Sequence, residues 1–459
     1  MNNKKLNERQ FENIYKMNNK KDKNDVGARL SVERNFVEYQ NDSEESIKSE
    51  NSKKEFRGMP SRSQFKPKKI LHDANKYLDF NIYDKKINNK NVTLPNNNND
   101  DYADINTSMV QMTQQINPIF IFNKSLETFS SKVNELLYKN INDSFITSSI
   151  GIYALFGCLY LISKSSTEHE CKKFFNLQDK ENYYKSLLKI TQSMDKINNM
   201  INIKNFFVYG NNIPTEKSYF DNLSNFCTIA CVNIKNPEKE SQKLSFIINK
   251  LMETEMRNPV KPSNIENLQI MLMTFAHIHP KFSHSFSEMN IDEFNGREHK
   301  FISTNNRVFH YFEDNDRQII EIKCGDYLNY GIILHKKHQQ FETNDKIHNY
   351  IHYLKPTALE EVKIPIFTQN LKFRYINVLK QLGLQSVFMK IFSNAFPEGN
   401  VILHDIIQNV KITIDNNTYN LPNDMNGVKS IRNFIVDKPF LYYFRLLKTN
   451  TIILNGKYE

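Results

Sequence analysis

The end of the chain constrains the fold more than any other stretch. A polar segment runs to Asn433. Phe434-Ile-Val-Asp-Lys-Pro-Phe440 follows, and two apolar, strand-like runs finish the sequence. Short runs of β-branched and aromatic residues fit buried strands. The last residues are therefore expected in a core, and the polar stretch before them in a loop.

At 459 residues the chain has room for one large domain with an appendage, or for two or three ordinary domains. Residues 1–117 hold 21 Asn, many Lys, Asp, Glu and Ser, and few branched apolar residues. Such a segment buries too little apolar surface to offset the entropy of ordering, so it reads as a disordered tail. Asn96 to Asn99 and Lys85-Lys-Ile-Asn-Asn-Lys90 are of low complexity. The globular domain is expected over 118–459.

Residues 1–117 carry 21 Lys and Arg against 17 Asp and Glu, a net of +4 out of +10 for the whole chain. Charge is thus spread rather than gathered into a basic arm. Arg62 to Lys69 is the densest basic piece and could touch RNA or serve as a localisation signal. A solvated tail is the simpler reading, and nucleic acid is not expected as a partner. The N-terminus lacks the apolar core of a secretion signal. No run reaches the roughly 18–20 apolar residues of a membrane span. Cys158, Cys171, Cys227, Cys231 and Cys324 are odd in number and scattered, so no disulfide framework is expected. Cys227 and Cys231 could lie one helical turn apart, but no second pair completes a metal site. A reduced, intracellular, cytoplasmic setting is the simplest reading, with no cofactor, no membrane contact and a monomeric chain expected.

The pattern changes at Asn117-Pro118. Phe122, Leu126, Phe129, Val133 and Leu136 form one apolar stripe on a helix. Ile150 to Leu161 is apolar on most faces and must be buried, with Ser148 or Ser149 as its cap. Residues 170–200 and 239–256 read as amphipathic helices and 201–209 as a strand. Strands then dominate, at 269–278, 300–312, 317–323 and 330–335, and 370–385 returns to helix. Helices followed by mostly antiparallel strands indicate an α+β domain.

Several stretches resemble landmarks of the serpin family, in order. Phe145 to Thr167 resembles the family's Phe-x-Ser-Pro-x-Ser-Ile helix and the Thr after it. Ile248-Asn-Lys250 resembles its Ile-Asn-x-Trp element, with Leu251 for Trp. Thr274 to Phe286 resembles the Asn-Ala-x-x-Phe-Lys-Gly-x-Trp strand, with Phe282 for Trp. Pro365-Ile-Phe367 with Leu382 to Phe388, and Val401 to Gln408, resemble later elements. Phe434 to Phe440 resembles the Phe-x-x-Asp-x-Pro-Phe element behind the reactive loop. The resemblance implies helices packed on large, mostly antiparallel sheets with a C-terminal reactive loop. It also implies inhibition of serine proteases: the loop is cleaved, then inserts as a new central strand and drags the acylated protease along.

Insertion needs small hinge residues, an N–H at each inserted position and a sheet that opens at a polar gate. The family's hinge, Glu-x-Gly-Thr followed by alanines, falls on Asn416, Thr418 and Tyr419, and then on Leu421, Pro422, Asn423 and Asp424. Proline has no N–H and is excluded from central strands. Asn and Asp disfavour strands, and an unpaired amide or carboxyl turned inward costs about 1–3 kcal/mol. The loop also looks shorter than is usual for the family's inhibitors. At the gate, Ser148 remains, the family's Asn is Thr274 and its His is Gln408. A scissile bond is expected near Val428-Lys429, where Lys429 or Arg432 would suit a trypsin-like protease.

Three functions compete. The chain is a protease inhibitor or decoy substrate, most simply non-inhibitory given the hinge; or a non-inhibitory binding or structural module with residues 1–117 as tether; or an enzyme. His277 and His279 share one face of a strand and His348 and His352 one face of a helix. Neither set has the carboxylates of a metal site, and satisfied half-buried histidines are the simpler reading. No phosphate loop or nucleophile elbow is visible, so an enzyme is not expected.

Overall fold

The computed structural model describes residues 117–459 except Glu255, Arg257, His338, Gln339, Gly399, Asn400 and 420–429; the side chains of 288–290 are also outside the description. The expected tail, 1–117, thus lies outside it but for its last residue. Asn117 caps helix α1 (Pro118–Asn140), its side chain accepting a hydrogen bond from Ile119 N at 3.0 Å. Proline at the first helical position suits a helix start, because its missing N–H would have no partner there. Phe122, Leu126, Phe129 and Val133 are buried as the stripe requires, with Leu137 rather than Leu136 continuing it.

Strand β1 (Phe145–Thr147) leads into α2 (Ser149–Ile162), which is buried along nearly its whole length. Ser148 precedes it, but neither serine caps it by a side-chain bond: the Ser148 hydroxyl points to Ile453 O at 3.5 Å. Residues 170–200 are not one helix. Helix α3 (Ser165–Phe174) and α4 (Lys180–Met194) are parted at Asn176, whose φ is +51°. The helix expected at 239–256 is α5 (Pro237–Met252). Cys227-x-x-x-Cys231 is not helical: Cys231 is exposed on strand β3 (Thr228–Val232), and Cys227, just before it, is buried.

The remaining elements are β2 (Ile201–Gly210), β4 (Ile270–Ile278), β5 (Ser287–Phe294), β6 (Arg297–Glu313), β7 (Arg317–Cys324), β8 (Leu328–His335), α6 (Asn344–Tyr353), β9 (Lys355–Pro365), β10 (Phe367–Arg374), α7 (Ile376–Gln381), β11 (Leu403–Ile414), β12 (Asn433–Ile435), β13 (Phe440–Leu446) and β14 (Thr451–Tyr458). The helix expected over 370–385 is therefore the end of strand β10 followed by the short α7. Phe367, Leu371 and Phe373 point inward while Thr368, Asn370 and Arg374 are exposed, a period of two.

Two sheets form. One runs β1-β14-β13-β8-β7-β6-β9-β12, with β5 also pairing β6; the other runs β10-β11-β4-β2-β3. Most pairs are antiparallel. The exceptions are β2–β3, β9–β12 and β4–β11. The main core lies between the sheets and around α1 and α2. A second apolar layer forms beneath α5 on the far face of the five-stranded sheet, and a third joins α6 to the outer face of the large sheet. Strand β4 shows how a continuous apolar run serves two layers. Ile270, Leu272, Ala276 and Ile278 enter the main core, and Met271, Met273 and Phe275 the layer under α5. The fold is α+β, with the two C-terminal strands in the interior of the large sheet.

The large sheet buries one ion pair. Glu321 accepts from Arg445 Nε at 2.8 Å, Tyr443 OH at 3.0 Å and Asn329 Nδ2 at 2.6 Å. Removing one partner leaves an uncompensated charge in the core. Arg445→Met alone is expected to cost about 3–5 kcal/mol in urea unfolding, and the double change Glu321→Leu, Arg445→Met clearly less.

Candidate functional site

Strands β4 and β11 meet side by side in the middle of the five-stranded sheet, in parallel register from Ile270 opposite Leu403 to Ile278 opposite Ile412. Both outer neighbours are antiparallel: β10 to β11 and β2 to β4. The β4–β11 seam is thus the one place among these four strands where alternation of direction breaks.

The expected gate residues sit on this seam and come together there. Thr274 is directly opposite Gln408. Residues opposite each other share a face of the sheet, and both turn toward the start of α2. Gln408 holds Ser148 from both sides: its Oε1 accepts from Ser148 N at 3.0 Å, and its Nε2 donates to Ser148 O at 2.8 Å. Tyr375 OH donates to the same Oε1 at 2.9 Å. All four residues are buried, none more than 1% exposed. Burial pushes the Tyr375 phenol up, so it stays a neutral donor. Tyr375 carries no signal in the sequence; it arrives because β10 pairs with β11 and turns into α7.

Thr274 has a different environment. Its hydroxyl has no hydrogen-bond partner among the described residues, and neither does that of Ser149. A Cβ on Gly151 would stand 2.2 Å from Thr274 Oγ1, so only glycine lets α2 lie this close to β4.

Beyond Ile414 the chain leaves the sheet along the continuation of β4. Asp415 meets His279 Nε2 with both oxygens, at 3.0 and 2.9 Å, and accepts from Asn417 N at 2.9 Å. Phe282 N donates to Asn417 O and Tyr419 N to Phe282 O, each at 2.9 Å, making a parallel bridge between Phe282 and Thr418. Asn417 Nδ2 reaches Pro280 O at 3.3 Å. The Tyr419 ring lies under the Lys281 ammonium, 4.7 Å from its centroid, and its hydroxyl faces Gly325, where a Cβ would be only 3.1 Å away. Phe282 is fully buried against Phe286 and Tyr330. The two hinge residues within the description therefore lie at the mouth of the sheet, Asn416 exposed and Thr418 paired to Phe282. Leu421, Pro422, Val428 and Lys429 lie outside the described residues. Arg432 is exposed, just before β12, and its carbonyl accepts from Glu360 N at 2.8 Å.

The histidines go elsewhere. His277 is half-buried, and burial with Lys411 nearby pulls its imidazole below the ordinary value. His279 serves Asp415, and His348 pairs with Glu127 at 2.7 Å. Among the described residues no group of three His, Cys, Asp or Glu side chains is placed to hold a metal, and no helix is long and apolar enough to cross a membrane.

A two-sheet α+β domain with a parallel seam and a segment leaving its upper end is a recognisable architecture. The family model for serpin, serine protease inhibitor, matches residues 124–459, and the chain belongs to the serpin family. An uncharacterized serpin-like protein of Acanthamoeba polyphaga mimivirus is 23% identical over 374 residues, covering 74% of this chain and 90% of the relative. Serpin B5 of Xenopus tropicalis is 20% identical over 357 residues, covering 71% and 94%. Among solved structures, maspin superposes with a TM-score of 0.65 at 16% identity, covering 74% of this chain and 99% of maspin. Serpin48 of Tenebrio molitor superposes at 0.63 and 17% identity, covering 73% and 97%.

Two substitutions separate the roles of the seam residues. Gln408→Leu leaves Ser148 N and the Tyr375 hydroxyl buried without partners, while Ser148 O keeps its bond from Gly151 N, and is expected to lower stability to urea by about 2–3 kcal/mol. Thr274→Val removes a hydroxyl that bonds to nothing and is expected to raise stability by about 1 kcal/mol. A clear loss for Thr274→Val would mean that the hydroxyl is satisfied after all.

Proposed function

We propose that this serpin meets a serine protease through the segment between β11 and β12 and does not trap it. It is a decoy substrate or a non-inhibitory binding protein, not an inhibitor acting by strand insertion. The observation that carries this reading is the way the segment leaves the sheet. A strand entering between β4 and β11 follows β11 in the chain and runs antiparallel to both. To enter, it must peel Asn417 and Tyr419 from Phe282 and break the Asp415–His279 pair. It must then offer Leu421-Pro-Asn-Asp424 to the seam. Pro422 has no N–H for the ladder, and Asn423 and Asp424 are poor strand residues. Each polar side chain turned into the main core or under α5 adds about 1–3 kcal/mol.

The protease expected is trypsin-like, cutting at Lys429 or at Arg432, the exposed basic residue ahead of β12. A binding module tethered by residues 1–117 fits the same hinge, and differs in that cleavage between β11 and β12 would leave its partner binding unchanged.

Trypsin treatment of the full chain tests the reading. The expected result is cleavage between β11 and β12, no SDS-stable adduct, and a melting temperature that stays within a few degrees. An SDS-stable adduct, or a cut followed by a large rise in melting temperature, overturns it. The hinge itself is tested by Pro422→Thr combined with Asn423→Ala and Asp424→Ala. These changes restore small or β-compatible residues with a full set of N–H donors. Cleavage of that variant is expected to raise the melting temperature above that of the cleaved natural sequence. No difference would mean that the hinge composition is not what opposes insertion.

A further inference from the structure

We infer that Cys158 and Cys227 are a buried dithiol that hydrogen peroxide closes into a disulfide, stapling α2 to the start of β3. The two sulfurs lie 3.8 Å apart, 69 residues apart in sequence. Cys158 is fully buried on α2 and Cys227 is 7% exposed between a 3-10 segment (Lys217–Asn225) and β3. A disulfide needs about 2.05 Å between sulfurs, so the two sulfurs must close by about 1.8 Å for the bond to form. The other three cysteines are separate: Cys171 and Cys324 are buried and Cys231 is exposed. Cysteine spacing alone points to no such pair, because the partners come from elements that only the packed core brings together.

The reaction balances with peroxide alone. The Cys227 thiolate attacks one peroxide oxygen and the O–O bond breaks, leaving a sulfenic acid and, after protonation, water. The Cys158 sulfur then displaces the hydroxyl of that sulfenic acid. The S–S bond forms as the S–O bond breaks, and a second water leaves. The two sulfurs lose two electrons and the peroxide gains them. Cys227 is the entry point because it is the more exposed residue of the pair, at 7%, and peroxide reaches its buried sulfur only when this end of β3 opens locally. The neighbouring Cys158 and burial hold its thiol well above the ordinary value, which makes the step slow at neutral pH and faster as pH rises.

The position of the staple gives it a consequence. Parting of the seam separates β11 and β10 from β4, β2 and β3. The first residue before α2 is bound to β11 through Ser148 and Gln408. Cys158 would be bonded to the residue preceding β3, at the far edge of the other group. The closed disulfide therefore ties both groups through α2, and the sheet resists opening whether or not the loop inserts.

The test uses the full chain treated with hydrogen peroxide, followed by alkylation of the remaining thiols and peptide mass mapping. The expected product has lost two hydrogens, links the peptides carrying Cys158 and Cys227, and leaves Cys171 and Cys324 alkylable after denaturation. Its melting temperature is expected to rise by about 5 °C or more, since the bond closes a long loop. Dithiothreitol reverses the rise, and Cys227→Ala and Cys158→Ala, tested separately, do not show it. Amide exchange along β4 and β11 slows in the oxidised form. Oxidation confined to the exposed Cys231, stable sulfinic acid on Cys227 without a link, or a link that leaves melting and exchange unchanged overturns the inference.

Discussion

The contact between β4 and β11 is the constraint on which the rest of the structure depends. On either side of it, strand directions alternate, β10 against β11 and β2 against β4. At the seam they do not, and the parallel ladder is slightly less stable per residue than the antiparallel one. A single strand lying between them, antiparallel to both, would restore alternation and add a second ladder. The closed sheet is thus left with a place for one more strand. Whether such a strand enters depends on the residues offered to it and on what holds the seam shut.

Three groups of residues hold it. In the middle, Gln408 binds the start of α2 and Tyr375 together beneath the seam. At the upper end, Phe282 pairs with the departing chain on both sides of Thr418, and Asp415 closes on His279. Beneath, the two apolar layers bury both faces of β4, so that opening exposes surface above and below. What the chain would offer in exchange begins Leu421-Pro-Asn-Asp424, which lacks one donor and brings polar groups that disfavour strands. The non-trapping proposal rests on this hinge composition rather than on the sheet.

Much of this was legible in the sequence. The strand at 201–209, the apolar run of β4 and strands β6, β7 and β8 were visible because β-branched and aromatic residues cluster there, whereas β5 was not. The order of motifs pointed to Ser148, Thr274 and Gln408 as one group, and the three do lie together at the β4–β11 seam. What stayed hidden has physical reasons. Strand β10 was mistaken for helix because its inward residues, Phe367, Leu371 and Phe373, are few and run straight into α7. Cys227 and Cys231 carry a helical spacing, but Cys227 precedes β3 and is buried while Cys231 lies near the end of that strand and is exposed, so the spacing brings no pair together. Ser148 looks like a cap, yet its backbone is taken by Gln408. Tyr375 and the Asp415–His279 pair have no local signature at all, since pairing across 33 and 136 residues creates them.

The seam also contains a tension that only the side chains reveal. Gln408 makes three buried hydrogen bonds, each worth about 1 kcal/mol net, so the gate is held by about 3 kcal/mol from this residue. Directly opposite, Thr274 buries a hydroxyl that bonds to nothing, at a cost of about 1–3 kcal/mol. Motion between β4 and β11, or a shift of α2 over Gly151, is the way to relieve it. The two effects oppose each other across one register pair and are of similar size. Set against each other, these contributions leave a margin of about 0–2 kcal/mol at this register pair. The remainder has to come from the clasp around Phe282 and from the buried faces of β4, which is consistent with how fully those faces are covered.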